Sequence, residues 1–385
     1  MIHNSTGFVK AEGRNIYDGD GYLLYLKGVN LGNWMNQEDY MTPSSVGTFE
    51  TGIYTEKRGL AAMKANPNLT DEDIEELRAL YIDNYITEKD FAEIAYLGFN
   101  CVRIVFQYMN FTLDDGVTLK EDPFAKINWA LDMCEKYKLY AIMDLHGAKG
   151  SQNMDFHSGD DAEFDLYGNR ANMDATVRLW EAIAENCKDR KIIAGYDLLN
   201  ETRRAPNKYT GKAQFDFYDE LYRAIRKIDG EHMIIMECFT FPTHGVKEKK
   251  YRWENVAYSY HFYNFSGFSY DVALYFYNAL HNLKGYNVPI IVGEFNAWDD
   301  DRAWKKSLNF FAKNGWSVIM WCYKANRYRY DRLRGKKSVW GLRELNVKPV
   351  DLSTATKEEI EKAYNEIGSE NAEKTSIYRF FVNKK

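Results

Sequence analysis

Two glutamates frame the chemistry open to this chain. Glu201 follows the apolar run 192–199, and Glu294 follows the apolar run 288–292. Other chemistry-bearing side chains sit at or just past similar runs: Arg103 within 100–106, Asp144-Leu145-His146-Gly147 at the end of 139–145, Asn200 beside Glu201, His261-Phe262-Tyr263 closing 256–261, and Trp321 within 317–323. An arginine or a carboxylate inside an apolar segment is costly unless paired, so the set is informative as a group. Two carboxylates facing one another suit hydrolysis of a glycosidic bond, one as acid toward the leaving oxygen and the other as nucleophile or base. A like-charged neighbour and partial burial are expected to raise the pKa of the acid member. Aromatic rings would stack on the apolar faces of a sugar, and Asn200 and the histidines would bond its hydroxyls. The residue types alone do not say which glutamate is which. Asp144 and His146, one residue apart, also suit a metal ion, but no third ligand has comparable spacing, so neither metal nor cofactor is expected.

These residues need elements that deliver them to one place. Eight short apolar runs (22–29, 100–106, 139–145, 192–199, 232–238, 256–261, 288–292 and 317–323) are rich in Val, Ile, Leu, Tyr and Met. Few of them alternate polar with apolar, as expected of parallel strands buried on both faces. Helical patterns fall between them at 88–97, 124–137, 173–187, 213–228, 270–283 and 302–313, and only a short basic stretch, 246–252, follows the fifth run. Thr87 with Asp90 resembles a capping box, and Gly98 closes that helix. Eight strands alternating with helical stretches predict an α/β (β/α)8 barrel over the whole of 1–385 as one domain, with candidate residues on the C-terminal face. An open doubly wound sheet lacks support because no glycine-rich phosphate loop follows an early strand. A hairpin over 8–21, turning at Asp18-Gly19-Asp20-Gly21, is expected to plug the opposite end. The insertion 34–85, with a charged helix at 70–81, and the loop 325–351 both leave from the catalytic face.

Composition narrows the classes further. The 385 residues are 45% hydrophobic and 28% charged, enough for a large core. A net charge of −6 argues against nucleic acid or an anionic membrane as the main partner. No stretch approaches the roughly 20 apolar residues of a spanning helix. Residues 1–10 lack the layout of a signal peptide. Five scattered cysteines, four of them in hydrophobic stretches, read as reduced core thiols in a cytoplasm. Aromatics make up 16% of the chain, through 29 Tyr, 22 Phe and 9 Trp, and serve either a large core or stacking platforms for a ring-shaped ligand. The basic cluster Arg327, Arg329, Arg332, Arg334, Lys336 and Lys337 reads as a solvated loop surface or as a grip on an anionic sugar.

Taken in order, Arg103, His146, Asn200-Glu201, His261-x-Tyr263, Glu294 and Trp321 resemble the active-site set of glycoside hydrolase family 5, the cellulase-like retaining glycosidases, over 22–323. The resemblance implies that Asn200 and Glu201 supply the acid/base, with Thr202 where proline is usual, and that Glu294 is the nucleophile. It also implies sugar contacts from Arg103, His146, His261, Tyr263 and Trp321, and carboxyl groups about 5–5.5 Å apart. Residues 28–34 with 38–44, and 144–153 with Lys149 where proline is typical, are similar to the exo-β-1,3-glucanases, and the similarity fades after Asn153. That narrower resemblance implies a blind pocket in which Glu38 binds the terminal sugar. The expected activity is a retaining, exo-acting β-glucosidase or exo-β-glucanase on short oligosaccharides. β-Mannosidase action, a non-sugar aglycone, a metal-dependent barrel hydrolase and a catalytically silent sugar-binding barrel are the alternatives.

Overall fold

A computed structural model describes residues 6–50, 52–160, 164–202, 211–238, 246–264, 268–334 and 339–381. Eight parallel strands close into a barrel: β1 (Lys27–Asn30), β2 (Cys101–Gln107), β3 (Tyr140–Gly147), β4 (Ile193–Asp197), β5 (Met233–Glu237), β6 (Val256–Tyr263), β7 (Ile290–Asn296) and β8 (Ser317–Met320), with β8 pairing back onto β1. Helices Glu88–Tyr96, Ala125–Tyr137, Arg170–Cys187, Gly211–Arg226, Phe268–Lys284 and Asp301–Asn314 make six of the crossovers, and the single turn Glu248–Tyr251 makes the crossover after β5. The expected barrel is therefore the observed one. Thr87 and Asp90 form the capping box, with the Asp90 carboxylate accepting the Thr87 backbone N–H at 2.7 Å, and Gly98 follows the helix at φ +81°. Among the described residues no helix is long and apolar enough to cross a membrane.

Side-chain direction alternates along each strand, and this decides what reaches the barrel axis. On β2, Val102, Ile104 and Phe106 join the large core shared with the helices, whereas Cys101, Arg103 and Val105 turn inward. On β7 the alternation would turn Glu294 outward, because Ile291 faces in and Val292 faces out. A bulge at Gly293 shifts the register between Val292 and Glu294, so that Glu294 lies beside His261 of β6. Only glycine fits there, since a Cβ would sit 2.4 Å from Ser259 Oγ and 2.8 Å from His261 Nε2.

Two expectations shift in detail. The first strand starts at Lys27 rather than at residue 22, because Tyr22 and Tyr25 are exposed and Leu23 instead bridges antiparallel to Tyr17. The hairpin pairs Lys10–Glu12 with Asn15–Tyr17 and turns at Gly13 (φ +58°), not at 18–21. Residues 18–21 make a second turn, in which the Asp18 carboxylate accepts the N–H groups of Asp20 and Tyr22. Val9, Ala11, Ile16 and Leu26 then fill the N-terminal end of the barrel against Tyr140, Ile142, Met233, Ile235, Ile291 and Ile319.

The insertion after β1 holds two helices, Glu56–Ala65 and Asp71–Tyr85, the second running one turn past the expected 70–81. Tyr81 and Tyr85 extend it by stacking at 5.3 Å inside the core. Helix Lys357–Asn365 packs on it through Tyr364 against Tyr81 and a 2.8 Å Lys357–Asp73 ion pair.

Candidate active site

Arg103 organises the floor of the C-terminal end. It is completely buried, which for a guanidinium demands compensating charge. Asp144 and Asp197 lie 2.9 Å from it, and Glu237 and Glu294 lie 3.2 Å away. It also donates to Asn30 Oδ1 at 3.0 Å and to Asn200 Oδ1 at 2.9 Å, so it fixes six side chains from five strand ends. The carboxylates outnumber the guanidinium, and burial with mutual repulsion raises Asp197 well above the carboxylate range and lifts Asp144 to about 7.

One layer higher, the Asp144 carboxylate accepts the Nδ1–H of His146 at 2.7 Å, leaving Nε2 to accept from Asn200 Nδ2 at 3.2 Å. Burial lowers the His146 pKa to about 4, which keeps the ring neutral in that tautomer. Its face stacks on the Trp321 ring at 5.4 Å. Asp144 and His146 thus bond each other and the Arg103 network, so they do not form the metal pair considered from their spacing.

Glu201 and Glu294 meet across the pocket. One carboxyl oxygen from each, with a ring nitrogen of His261, lies within 4.8 Å of the others. Glu294 accepts from Arg103 Nη1 and from the Tyr263 hydroxyl. Glu201 is held differently. Its backbone has φ +41°, a region unfavourable to a side-chain-bearing residue, and is braced by two bonds. Its N–H donates to Glu237 Oε2 at 2.6 Å, and its carbonyl accepts Asn153 Nδ2 at 3.1 Å. His261 Nδ1 lies 2.8 Å from Glu201 Oε1, and His261 Nε2 lies 3.0 Å from Glu237. Burial opposes a charge on His261, but Glu237, Glu294 and the bond to Glu201 push its pKa well above the ordinary value. The Glu201, His261 and Glu294 atoms have a spacing that a cation can bridge, yet protonated His261 and Arg103 already supply positive charge there.

The expected direction of the pKa shift is overturned. Burial and the charge of Glu201 drive Glu294 up to about 8, against His261, Arg103 and Tyr263. Burial also opposes the Glu201 charge, but the His261 hydrogen bond and the charges of His157 and His261 hold Glu201 well below the carboxylate range. These shifts favour the proton on Glu294 over the residue expected to be the acid. The two histidines are the cause.

All nine residues singled out in the sequence are brought to this site, although Arg103 is its floor rather than its lining. A cavity of about 690 Å³ is lined by Glu38, His146, Asn200, Glu201, Tyr263, Glu294 and Trp321, and His261 stands behind Glu201. Glu38 is buried, its Oε1 makes no hydrogen bond, and burial raises its pKa. Its backbone N–H donates to Asn33 Oδ1 at 2.9 Å, which fixes the turn that aims it inward.

Several functional positions escaped the sequence reading. Asp197 and Glu237 each end an apolar strand, the same signal that marked Glu201 and Glu294. Asp39, Tyr40, Phe156, His157, Tyr330, Leu333 and Trp340 complete the walls from loops and short helices beyond the strand ends and carry no such signal. The described residues of the basic cluster already have partners. Arg327 pairs with Glu373 at 2.9 Å, Arg329 with Asp39 and the Gly52 carbonyl, and Arg332 lies 3.4 Å over the Tyr328 ring. Lys336, Lys337 and the Arg334 side chain lie outside the described residues.

Comparison with known proteins agrees with this geometry. The family model described as cellulase (glycosyl hydrolase family 5) matches residues 62–327. A β-xylosidase of Phanerodontia chrysosporium is 33% identical over 267 residues, covering 68% of this chain and 53% of that protein. A glucan 1,3-β-glucosidase of Pichia angusta is 31% identical over 229 residues, covering 56% and 49%. The chain spans about half the length of these curated relatives. Among solved structures, AoRut superposes with a TM-score of 0.63 at 17% identity over 78% of this chain and 89% of that one. An endoglucanase of the hyperthermophile Thermotoga maritima superposes with a TM-score of 0.52 at 16% identity over 88% and 96%. With the family match covering well over half its length, this chain belongs to glycoside hydrolase family 5 and is a glycoside hydrolase.

Proposed function

We propose that this enzyme is a retaining, exo-acting β-glycosidase, with Glu294 as nucleophile and Glu201 as acid/base, acting as a β-glucosidase or exo-β-glucanase on short oligosaccharides. The observation that carries this reading is the approach of Glu201 and Glu294 oxygens to within 4.8 Å across the pocket. That spacing suits direct attack on the anomeric carbon, because an inverting pair needs about 6.5–9.5 Å to admit water. Arg103 and Tyr263 both donate to Glu294, which orients an ionised nucleophile and keeps it aimed. Glu201, with its side chain 30% exposed, is the member open to a leaving group and to water. The productive form carries one proton on the pair and needs it on Glu201. Coupled carboxyls titrate as a unit, so this form coexists with the one in which Glu294 is protonated.

The pocket shape supports exo action. The 34–85 insertion supplies Glu38, Asp39 and Tyr40, and the loop after β8 supplies Arg329, Tyr330 and Trp340. The Arg329–Asp39 ion pair, the Tyr40–Trp340 ring contact at 4.4 Å and the pairing of Ser44 and Ser45 with Val350 and Asp351 tie the two into one wall. The buried Glu38 carboxylate, with Oε1 3.6 Å from His146 Nε2, is the acceptor for a hydroxyl of the terminal sugar. Sugar identity rests on relatives named β-xylosidase and glucan 1,3-β-glucosidase. A non-sugar aglycone is the second reading, favoured by Phe156 and the half-exposed Leu333 at the rim. Five unbridged, buried cysteines support a reducing compartment such as the cytoplasm. Proton NMR of products from aryl β-glucoside, β-xyloside, β-mannoside and cellobioside tests the reading. The β anomer appearing first, with monosaccharide released from the glucoside or xyloside, is the expected result. An α anomer first, or early internal cleavage of a long β-glucan, refutes it.

A further inference from the structure

Glu201 stands between two imidazoles, and only one of them belongs to the family set. His261 Nδ1 takes Oε1 at 2.8 Å and also lies 3.5 Å from Glu294 Oε2, so it holds the side facing the proposed nucleophile. The other oxygen, Oε2, lies 3.4 Å from Nε2 of His157. His157 sits in the short helix Phe156–Ser158 after β3, beyond the point where similarity to the exo-glucanases fades.

We propose that His157 is a positioning residue for the acid/base, holding the Glu201 oxygen that His261 leaves open and favouring release of its proton to the leaving group. The proposal rests on Glu201 being the acid/base. The ring is built into place. Asn36 Nδ2 donates to the His157 carbonyl at 2.8 Å, and Asn153 Nδ2 lies 3.1 Å from His157 Nε2. Asn153 Oδ1 accepts the Asp155 N–H at 2.9 Å, which fixes the amide with its NH2 end toward His157 and the Glu201 carbonyl. One nitrogen therefore serves two partners. Asn153 thus fixes the ring with its Nε2 edge toward the Glu201 carboxylate.

Three other titratable groups face the ring: Asp155 on the same loop at 4.0 Å, His146 of β3 at 6.0 Å between ring centres, and His261 of β6 across Glu201. As the glycosidic bond breaks, the proton passes from Glu201 to the departing oxygen while Glu294 bonds to the anomeric carbon. The carboxylate left behind is then stabilised by both imidazoles. Help of this kind matters most when the leaving group is a poor one.

The test compares the His157→Ala and His157→Gln variants with the Glu201→Ala variant on an alkyl β-glucoside and on 2,4-dinitrophenyl β-glucoside, each across pH. For His157→Ala, kcat/KM on the alkyl glucoside should fall about 10- to 100-fold, part of the roughly 10²–10⁴-fold worth of an acid/base, and less than about threefold on the dinitrophenyl glucoside. Glutamine keeps a donor at that position, so it should recover much of the rate. The alkaline limb of kcat/KM should move to higher pH in the alanine variant, because a group that stabilises the ionised Glu201 carboxylate has been removed. Equal loss on both substrates, or a limb that stays in place, overturns the proposal. If Glu201→Ala itself shows no dependence on the leaving group, the acid/base assignment fails first. If Glu201→Ala shows that dependence and His157→Ala does not, only the role of His157 fails.

Discussion

The two ends of the barrel are built from the same eight strands and obey opposite rules. At the N-terminal end, Val9, Ala11, Ile16 and Leu26 close over Ile142, Met233, Ile235, Ile291 and Ile319, a layer held by burial of apolar area. Two residues further along β2, β3 and β5, the inward positions hold Arg103, Asp144 and Glu237, buried charge that is tolerable only because it is networked. The hydrophobic end supplies stability that the polar end gives up. Four carboxyl groups around one arginine, with pKa values displaced upward at Asp144, Asp197 and Glu294, are a poor arrangement for folding and a good one for holding reacting groups in fixed register.

The comparison is broken most sharply at Glu294. Glu294→Gln should lower turnover by at least about three orders of magnitude while leaving the far-ultraviolet circular dichroism spectrum unchanged. The same variant should be more stable than the parent at pH 8. A carboxyl with an ordinary value of 4.5 that is pushed to about 8 in the folded protein holds its proton after the unfolded chain has lost it. Its folded-state contribution is therefore undiminished below pH 4.5 and declines as pH rises from 4.5 through 8, on the order of 1–4 kcal/mol in all. Urea unfolding at pH 5 and pH 8 checks this, and a variant destabilised equally at both would show that Glu294 is structural.

Smaller losses are expected from single hydroxyl contacts. Glu38→Ala should cost about 1.5–3 kcal/mol of transition-state binding, or one to two decades in kcat/KM, the scale of a hydrogen bond to a charged group. Unimpaired kinetics on an aryl glucoside would place Glu38 outside the sugar site and remove the main support for exo action.

The pair itself should titrate as a unit. The profile of kcat/KM is expected to fall on the alkaline side near pH 8, where the last shared proton leaves, and on the acid side below the usual carboxylate range. Glu201→Gln removes the neighbouring charge, so carbon-13 NMR of labelled glutamate should show the Glu294 pKa lower than in the parent. An unchanged value would mean that the two carboxyls do not sense each other.

The opposite end should leave turnover untouched. Ile16→Ala in the plug is expected to lower stability by about 2–4 kcal/mol in urea unfolding, yet to keep kcat/KM within about twofold at 25 °C. Activity falling in proportion to stability would mean that the two ends are coupled through the strands.

What the sequence determined by itself was the path of the chain and the identity of the reacting groups. Eight apolar runs with polar residues at their C-terminal ends define a barrel and its working face, because a charged side chain in a buried strand survives only where others meet it. The same signal stood at Asp197 and Glu237, and those residues take part in the network just as Glu201 and Glu294 do. Other features depended on contacts that no local pattern encodes. The bulge at Gly293 turns Glu294 inward against the alternation of its own strand. Asp39 pairs with Arg329 from a loop 290 residues away in sequence. His157 reaches Glu201 from a short helix with no motif of its own. The direction of each pKa shift also waited on the fold, because it depends on burial and on charges within a few ångströms. Which glutamate keeps the proton was decided only where β3, β4, β6 and β7 bring their ends together.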